Sequence, residues 1–273
     1  MTDQRAILNP LAGIGRFTLE RHPPSDDLAA YVDRYWIVRW DLREPFDQET
    51  LPNPVVNVVI GTHQPGIWGP RVERFVAALD GSGWVVGAKF RPGGFHPFYR
   101  RDIAELAGKM RPVGDVFDVP SSLDPTTDAS LVAAMEGMLR RASPVADDNI
   151  ALATRAVELA QSDPDLSRST MLAERLEVSP RTLERLFRRY VGVSPKWVVR
   201  RFRVHEACER VKTGVAPDWS QLAHELGYFD QAHFIHDFKA QVGRTPADYA
   251  TACATARSAS ARDSPTATPV RVR

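Results

Sequence analysis

Along the first part of the chain, apolar residues either alternate with polar ones or gather into runs too short for helices. Pro and Gly punctuate these runs. Arg34–Trp40 is rich in aromatic and β-branched residues, and Val55–Ile60 is a compact apolar run between Leu51-Pro52-Asn53-Pro54 and Gly61. Arg71–Leu79 and Trp84–Phe90 follow, each bounded by Gly or Pro. Segments of this composition predict strands, and strands so closely spaced favour a sandwich or barrel. Short helices are expected at Asp26–Arg34 and Ile103–Lys109. From Ala129 the period changes. Leu131, Met135, Met138 and Leu139 form one stripe of a helix running to Arg141, which packs either on the strands or on a second copy of itself.

The rest of the chain is helical and repeats itself. Asp147 or Asp148 caps a helix through Ile150, Ala153, Val157 and Ala160, and Pro164 and Ser169 break and restart the chain. A short helix over Met171–Leu176 leads through a turn at Glu177–Val178 to Ser179, an N-cap, and Pro180, at the first helical position where proline fits. Leu183, Leu186, Phe187 and Tyr190 give this next helix its buried face, and Gly192 stops it. After a long helix from Pro195 to Lys212 the arrangement recurs: Leu222, Ala223 and Leu226 match Leu172, Ala173 and Leu176. Asp230 matches Ser179, Phe234 matches Leu183, Phe238 matches Phe187, Gly243 matches Gly192 and Thr245-Pro246 matches Ser194-Pro195. The early pairs lie 50 apart and the later ones 51, so the second turn is one residue longer. The small alanines suit the close helix crossing of a helix-turn-helix.

The expected architecture is α+β. A β-barrel or sandwich-like domain occupies 1–120, and a linker with a helix spans 121–148. An all-α domain of two helix-turn-helix units joined by a long helix covers 149–250, ahead of a disordered tail over 251–273.

Composition changes this picture in one place. The chain of 273 residues carries a net charge of only +1, yet Ser179–Lys212 holds ten Lys or Arg against three Glu, a local excess that suits a polyanion. Met1–Arg5 lacks the apolar start of an export signal, no apolar run is long enough to span a bilayer, and Cys208 and Cys253 do not make a disulfide framework. A cytoplasmic location is expected.

Chemistry is sparse. No phosphate-cradling glycine loop and no Ser or Cys nucleophile motif occurs, and His63 and His96 lack partners at metal-ligand spacing. His233 with His236, and His205 with Cys208, lack a third ligand. No catalytic residue, metal or cofactor is expected. The alternative of a cupin-like enzyme fused to a DNA-binding tail lacks the histidines it needs. The loop Lys89–Phe98 is the distinctive piece of the first half, and either lines a pocket or packs on its own aromatics. Trp68, Trp84, Phe90, Arg91 and Phe95 are the candidate effector contacts, with core packing the competing role for the two tryptophans.

Residues 150–250 closely resemble the AraC/XylS family of bacterial transcription regulators, most specifically in Leu226-Gly227-Tyr228-Phe229-Asp230-Gln231-Ala232-His233-Phe234, Phe238-Lys239, Gly243, Thr245-Pro246 and Tyr249. The Phe90–Gly94 loop also resembles that of a sensor domain found ahead of some members. The resemblance implies a non-enzymatic activator or repressor that binds double-stranded DNA, with a small-molecule effector, a second copy of the chain and RNA polymerase as further partners. It implies that the exposed side of each third helix enters a major groove. Base contacts then map onto Arg181, Thr182 and Arg185 in the first unit and onto Gln231, Ala232, His233 and His236 in the second. Arg188, Arg189, Lys196 and Lys239 map onto phosphate contacts. Many relatives carry Arg where this chain has His236.

Overall fold

The computed structural model describes residues 15–262 except 52, 146, 164 and 214–217, with side chains to residue 255. Among the described residues eight strands precede the helical domain: β1 Phe17–His22, β2 Val32–Asp41, β3 Phe46–Thr50, β4 Asn57–Gly61, β5 Gly66–Trp68, β6 Phe75–Leu79, β7 Ser82–Phe90 and β8 Met110–Arg111. Six form one antiparallel sheet in the order β1-β2-β7-β4-β5-β8, while β3 and β6 pair only with each other. The sheet therefore has two open edges. It is not the closed barrel offered as one reading; the β3–β6 ribbon pairs with neither edge strand among the described residues, and Phe46 of β3 meets Phe17 of β1 ring to ring at 6.3 Å.

Alternation sorts the sheet into two faces. Tyr35 and Ile37 on β2, Val58 and Ile60 on β4, and Val86, Ala88 and Phe90 on β7 join one core. Helix α1 (His96–Tyr99) and helix α2 (Asp128–Arg141) cover it, with Leu131, Met135, Met138 and Leu139 of α2 inside. The α2 stripe is thus spent on the sheet. Thr127 caps α2, and Asp128 at its start takes hydrogen bonds from Arg39 of β2 (2.6 Å) and His22 of β1 (2.9 Å). The opposite face presents Trp36, Val38 and Trp40 with Val59 and Val85. Gly87 is required there, because a Cβ on it would lie 2.2 Å from the Trp36 ring. The helix expected at Asp26–Arg34 is instead a turn closed by Leu28 N donating to Ser25 O (3.0 Å), and β2 already begins at Val32. The 3₁₀ turn Ile103–Leu106 occupies the place of the second expected helix.

The helical domain follows as α3 (Asp148–Ser162), α4 (Ser169–Arg175), α5 (Pro180–Leu186), α6 (Pro195–Lys212), α7 (Trp219–Glu225), α8 (Gln231–Val242) and α9 (Pro246–Arg262). A π turn over Phe187–Val191 extends α5 to Gly192. The tail expected to be disordered is helical to Arg262, and its remainder lies outside the described residues.

Helix α6 belongs to both halves of the domain. Its Val198, Val199 and Phe202 enter the core of the first unit, and its Val204, Ala207, Cys208 and Val211 enter that of the second. Its 18 residues span about 27 Å at 1.5 Å per residue. The buried Arg203 ties it to the end of α3 by donating to Ala160 O (3.2 Å) and Asp163 O (2.9 Å). Burial is the main cause that pushes the Cys208 thiol up to about 12, so it acts as a packed apolar group.

Candidate functional site

The two helix-turn-helix units share the hydrogen bonds of their turns and of their third-helix caps. Val178 N donates to Ala173 O in the first turn and Tyr228 N donates to Ala223 O in the second, both at 3.0 Å. The residue before each donor is left-handed, Glu177 at φ 56° and Gly227 at φ 76°. Gly227 also has no room for a side chain, since a Cβ would stand 2.4 Å from Ser167 Cβ. Ser179 Oγ accepts from Thr182 N (3.1 Å) and Asp230 Oδ1 accepts from His233 N (2.7 Å), capping α5 and α8. Each cap satisfies a donor at the helix start and is worth about 1 kcal/mol. The one-residue excess of the second turn is Phe229, which is 93% exposed.

The third helix of each unit, α5 or α8, buries its apolar side and exposes the other. Leu183, Leu186 and Phe187 point inward from α5, and Phe234, Phe238 and Val242 from α8. Arg181 and Arg185 stand exposed one turn apart on α5, and no ion pair engages either among the described residues. Thr182 is half-buried, its hydroxyl 2.9 Å from that of Ser179. On α8, Gln231, Ala232 and His236 are exposed. His233 is drawn inward, edge-on to the Tyr228 ring at 5.3 Å and 3.7 Å from the Asp237 carboxylate. Asp237 in turn meets Arg200 of α6 at 3.4 Å, which fixes α8 on the linker.

The basic excess of this region is smaller in space than in sequence. Arg201 and Arg203 are buried, Arg210 pairs with Glu206 and Glu225, and Lys212 pairs with Glu209. Lys196 and Lys239 are exposed. The other two expected phosphate contacts reach back to the first domain. Arg188 meets Asp102 at 2.9 Å while its side chain stays 75% exposed, and Arg189 Nε donates to His96 Nε2 at 3.1 Å. The pKa of His96 lies below its ordinary value, first because it is buried and then because Arg189 is beside it. Tyr190 donates to Asp147, the N-cap of α3, in the same cluster.

The first domain holds both units at equivalent points. A Cβ on Gly192, where the first recognition helix ends, would lie 2.8 Å from Ile103 Cγ2, 2.9 Å from Ile103 O and 3.0 Å from Pro70 Cγ. A Cβ on Gly243, the matching end in the second unit, would lie 2.7 Å from Arg74 Nε. One loop, from Pro70 to Arg74, therefore touches both helix ends. Glu49 of β3 joins them by taking Arg74 and Arg244 (2.9 Å to the latter).

Between the Trp-bearing face of the sheet, the β3–β6 ribbon, α3 and α6 lies a cavity of about 470 Å³. Trp68 and Arg91 of the five candidate effector contacts line it. Trp84, Phe90 and Phe95 do not. They belong to or pack against the core on the α2 side, where Phe90 and Phe95 meet edge-on at 4.9 Å. Strand parity is the reason: Lys89 faces the cavity, so Phe90 cannot. The loop after β7 thus does both things expected of it. Its aromatics pack on each other, and Arg91 reaches the cavity rim, donating to Ala29 O (2.8 Å) and standing 4.0 Å from Glu158 of α3. Sequence reasoning missed Trp36, Trp40, Gln48, His63 and Arg71 in the cavity wall. The alternation of Trp36, Val38 and Trp40 was the available signal.

Among the described residues no three His, Cys, Asp or Glu side chains come together as a metal site, and no helix is long and apolar enough to cross a membrane.

The repeated turn, the capped third helix and the shared linker define a double helix-turn-helix. Residues 172–252 match the family model described as "Helix-turn-helix domain", and residues 20–112 match one described as "Domain of unknown function". Residues 172–252 of the chain are thus a helix-turn-helix domain. The chain is similar to a transcriptional regulator with an AraC-type DNA-binding domain from Chromobacterium violaceum, at 24% identity over 37% of this chain and 90% of that one, with a TM-score of 0.34. It is similar to the C-terminal domain of AraT, a response regulator from Geobacillus stearothermophilus, at 29% identity over 36% and 82%, with a TM-score of 0.33. ToxT from Vibrio cholerae aligns at 13% identity over 86% and 98%, with a TM-score of 0.37. No curated protein matches the chain.

Proposed function

We propose that the protein is a sequence-specific regulator of transcription that reads two successive major grooves with α5 and α8 and binds a small-molecule effector in its first domain. The repeat carries this reading: two units that share their turn hydrogen bond and third-helix cap, mounted on one helix, suit an asymmetric DNA site read by a single chain. Arg181 and Arg185 are the direct readers, since an exposed, unpaired guanidinium has its donors free for guanine O6 and N7. Gln231, Ala232 and His236 read with α8, and His233 holds its N-terminal turn in place. Lys196, Lys239 and Arg188 take phosphates, and Arg189 does so only when the His96 contact opens.

The effector reading is supported by the cavity, whose wall includes Phe202 and His205 of α6. A ligand there touches the helix that spaces the two reading heads. Selection of bound fragments from a random DNA pool by the full chain tests the function. A motif with two separated half-elements is expected, and enrichment of no motif refutes sequence-specific reading.

A further inference from the structure

The cavity wall is strongly biased in charge. Arg21, Arg34, Arg71, Lys89, Arg91 and Arg201 line it, against Asp33 and Glu158 as its acids. Both acids already face cations: Asp33 meets Lys89 at 3.0 Å and Arg34 at 3.1 Å, and Glu158 stands 4.0 Å from Arg91. Arg71 is different. Its guanidinium lies over two aromatic rings, 4.5 Å from the Trp68 centroid and 4.7 Å from that of Phe75. Neither a hydrogen bond nor an ion pair meets its N–H groups among the described residues. Ring stacking occupies the face of a guanidinium and leaves its edge, the forked donor array that fits a carboxylate, turned outward.

Among the described residues, two further polar atoms of the wall lack protein partners. Gln48 is only 8% exposed and its amide oxygen has none, and the buried Nε2 of His63 has none. Buried polar atoms are normally satisfied, and these two give one side of the wall a polar character. Trp36, Trp40 and Phe75 give the remainder of the wall an apolar, ring-sized character.

We propose that this cavity binds an organic acid, its carboxylate on the edge of Arg71 and its apolar body along Trp36, Trp40 and Phe75. The assignment rests on reading the cavity as the effector site. A cationic ligand is disfavoured there, because the wall carries six cations and both of its acids already face cations. Occupancy is also felt beyond the cavity: Arg71 lies in the loop whose Pro70 and Arg74 abut the ends of both recognition helices.

The test is a titration of the full chain with 3-phenylpropanoate, 3-phenylpropanol and 3-phenylpropylamine, and with octanoate, octanol and octylamine. Tryptophan fluorescence and unfolding temperature are followed at one pH and ionic strength. The acids are expected to bind at least tenfold tighter than the alcohols, and the amines weakest. Arg71→Ala brings the acids down to the alcohols, and Arg71→Lys, which keeps the charge but loses the fork, recovers part. Should Arg71→Ala not fold, the wild-type series and Arg71→Lys carry the test alone. Equal binding of acid and alcohol, tighter binding of amine, or acid binding unchanged in Arg71→Ala overturns the organic-acid assignment and leaves the cavity as a ligand site. Failure of all six probes overturns the effector-site reading itself.

Discussion

Gly192 and Gly243 end the two recognition helices in the same left-handed conformation, at φ 89° and 83°, and so make an internal control for the grip of the first domain. Alanine at either site pays the left-handed penalty of about 1–2 kcal/mol. The surroundings then separate them. At Gly243 the new methyl meets the side chain of Arg74, which can swing away at the loss of a half-exposed pairing with Glu49 worth at most about 1 kcal/mol. At Gly192 it meets the Ile103 carbonyl at 2.9 Å and Pro70 at 3.0 Å, neither of which can rotate aside. Overpacking of that kind adds about 1–3 kcal/mol or forces the domains apart. Gly192→Ala is therefore expected to cost about 2–5 kcal/mol in the full chain and Gly243→Ala about 1–3 kcal/mol. Urea unfolding followed by circular dichroism measures both. In a fragment of residues 145–262, which lacks Ile103, Pro70 and Arg74, the two losses should converge on the left-handed penalty alone. Equal losses in the full chain, or a difference that persists in the fragment, would refute the docking of the first unit on the Ile103 turn.

Arg181→Ala should weaken binding to the selected DNA site by about 1–3 kcal/mol and relax preference at one base pair; a competition gel shift in which specific and random DNA lose affinity equally removes the base-reading role. Acidification should loosen the contact between the domains. His96 is buried beside Arg189, with Asp147, Asp102 and Tyr190 as its other titratable neighbours, and its pKa is lowered in the fold. The unfolded chain therefore binds this proton first, and the stability is complete above the ordinary histidine value of about 6.5 and lost as pH falls below it. The Asp147 carboxylate is held below its usual range, where the Tyr190 and Asn149 hydrogen bonds outweigh burial, so it stays ionised throughout that window. The unfolding temperature should drop between pH 7 and pH 5.5 more steeply in the wild type than in His96→Asn, and parallel curves would remove His96 from the account.

The helical half was legible almost residue by residue, because capping, proline and glycine act locally. Ser179, Pro180, Gly192, Asp230 and Gly243 each do in the structure what their side chains do in isolation. The first half was legible only as strands. Whether Phe90 or Lys89 faces the cavity depends on register parity, and that is set by the pairing of β7 with β2 and β4, far apart in sequence. The Asp26–Arg34 segment misled because its helical pattern lies across a turn that leads into β2. The basic run of α6 misled for a related reason. Composition counts Arg201 and Arg203, and only packing reveals that both point into the protein. The reach of Arg188 and Arg189 to Asp102 and His96 spans the two domains, and nothing local announces it.

Footprinting of the full chain on its selected DNA, with single substitutions in α5 and α8, bears most directly on the two-headed reading. Two protected major-groove segments on one face of the duplex, about 10–10.5 base pairs apart, are expected from one protomer. Arg181→Ala should open one segment and Gln231→Ala the other, with affinity falling steeply as salt rises. A single protected segment, or both substitutions opening the same one, would contradict it.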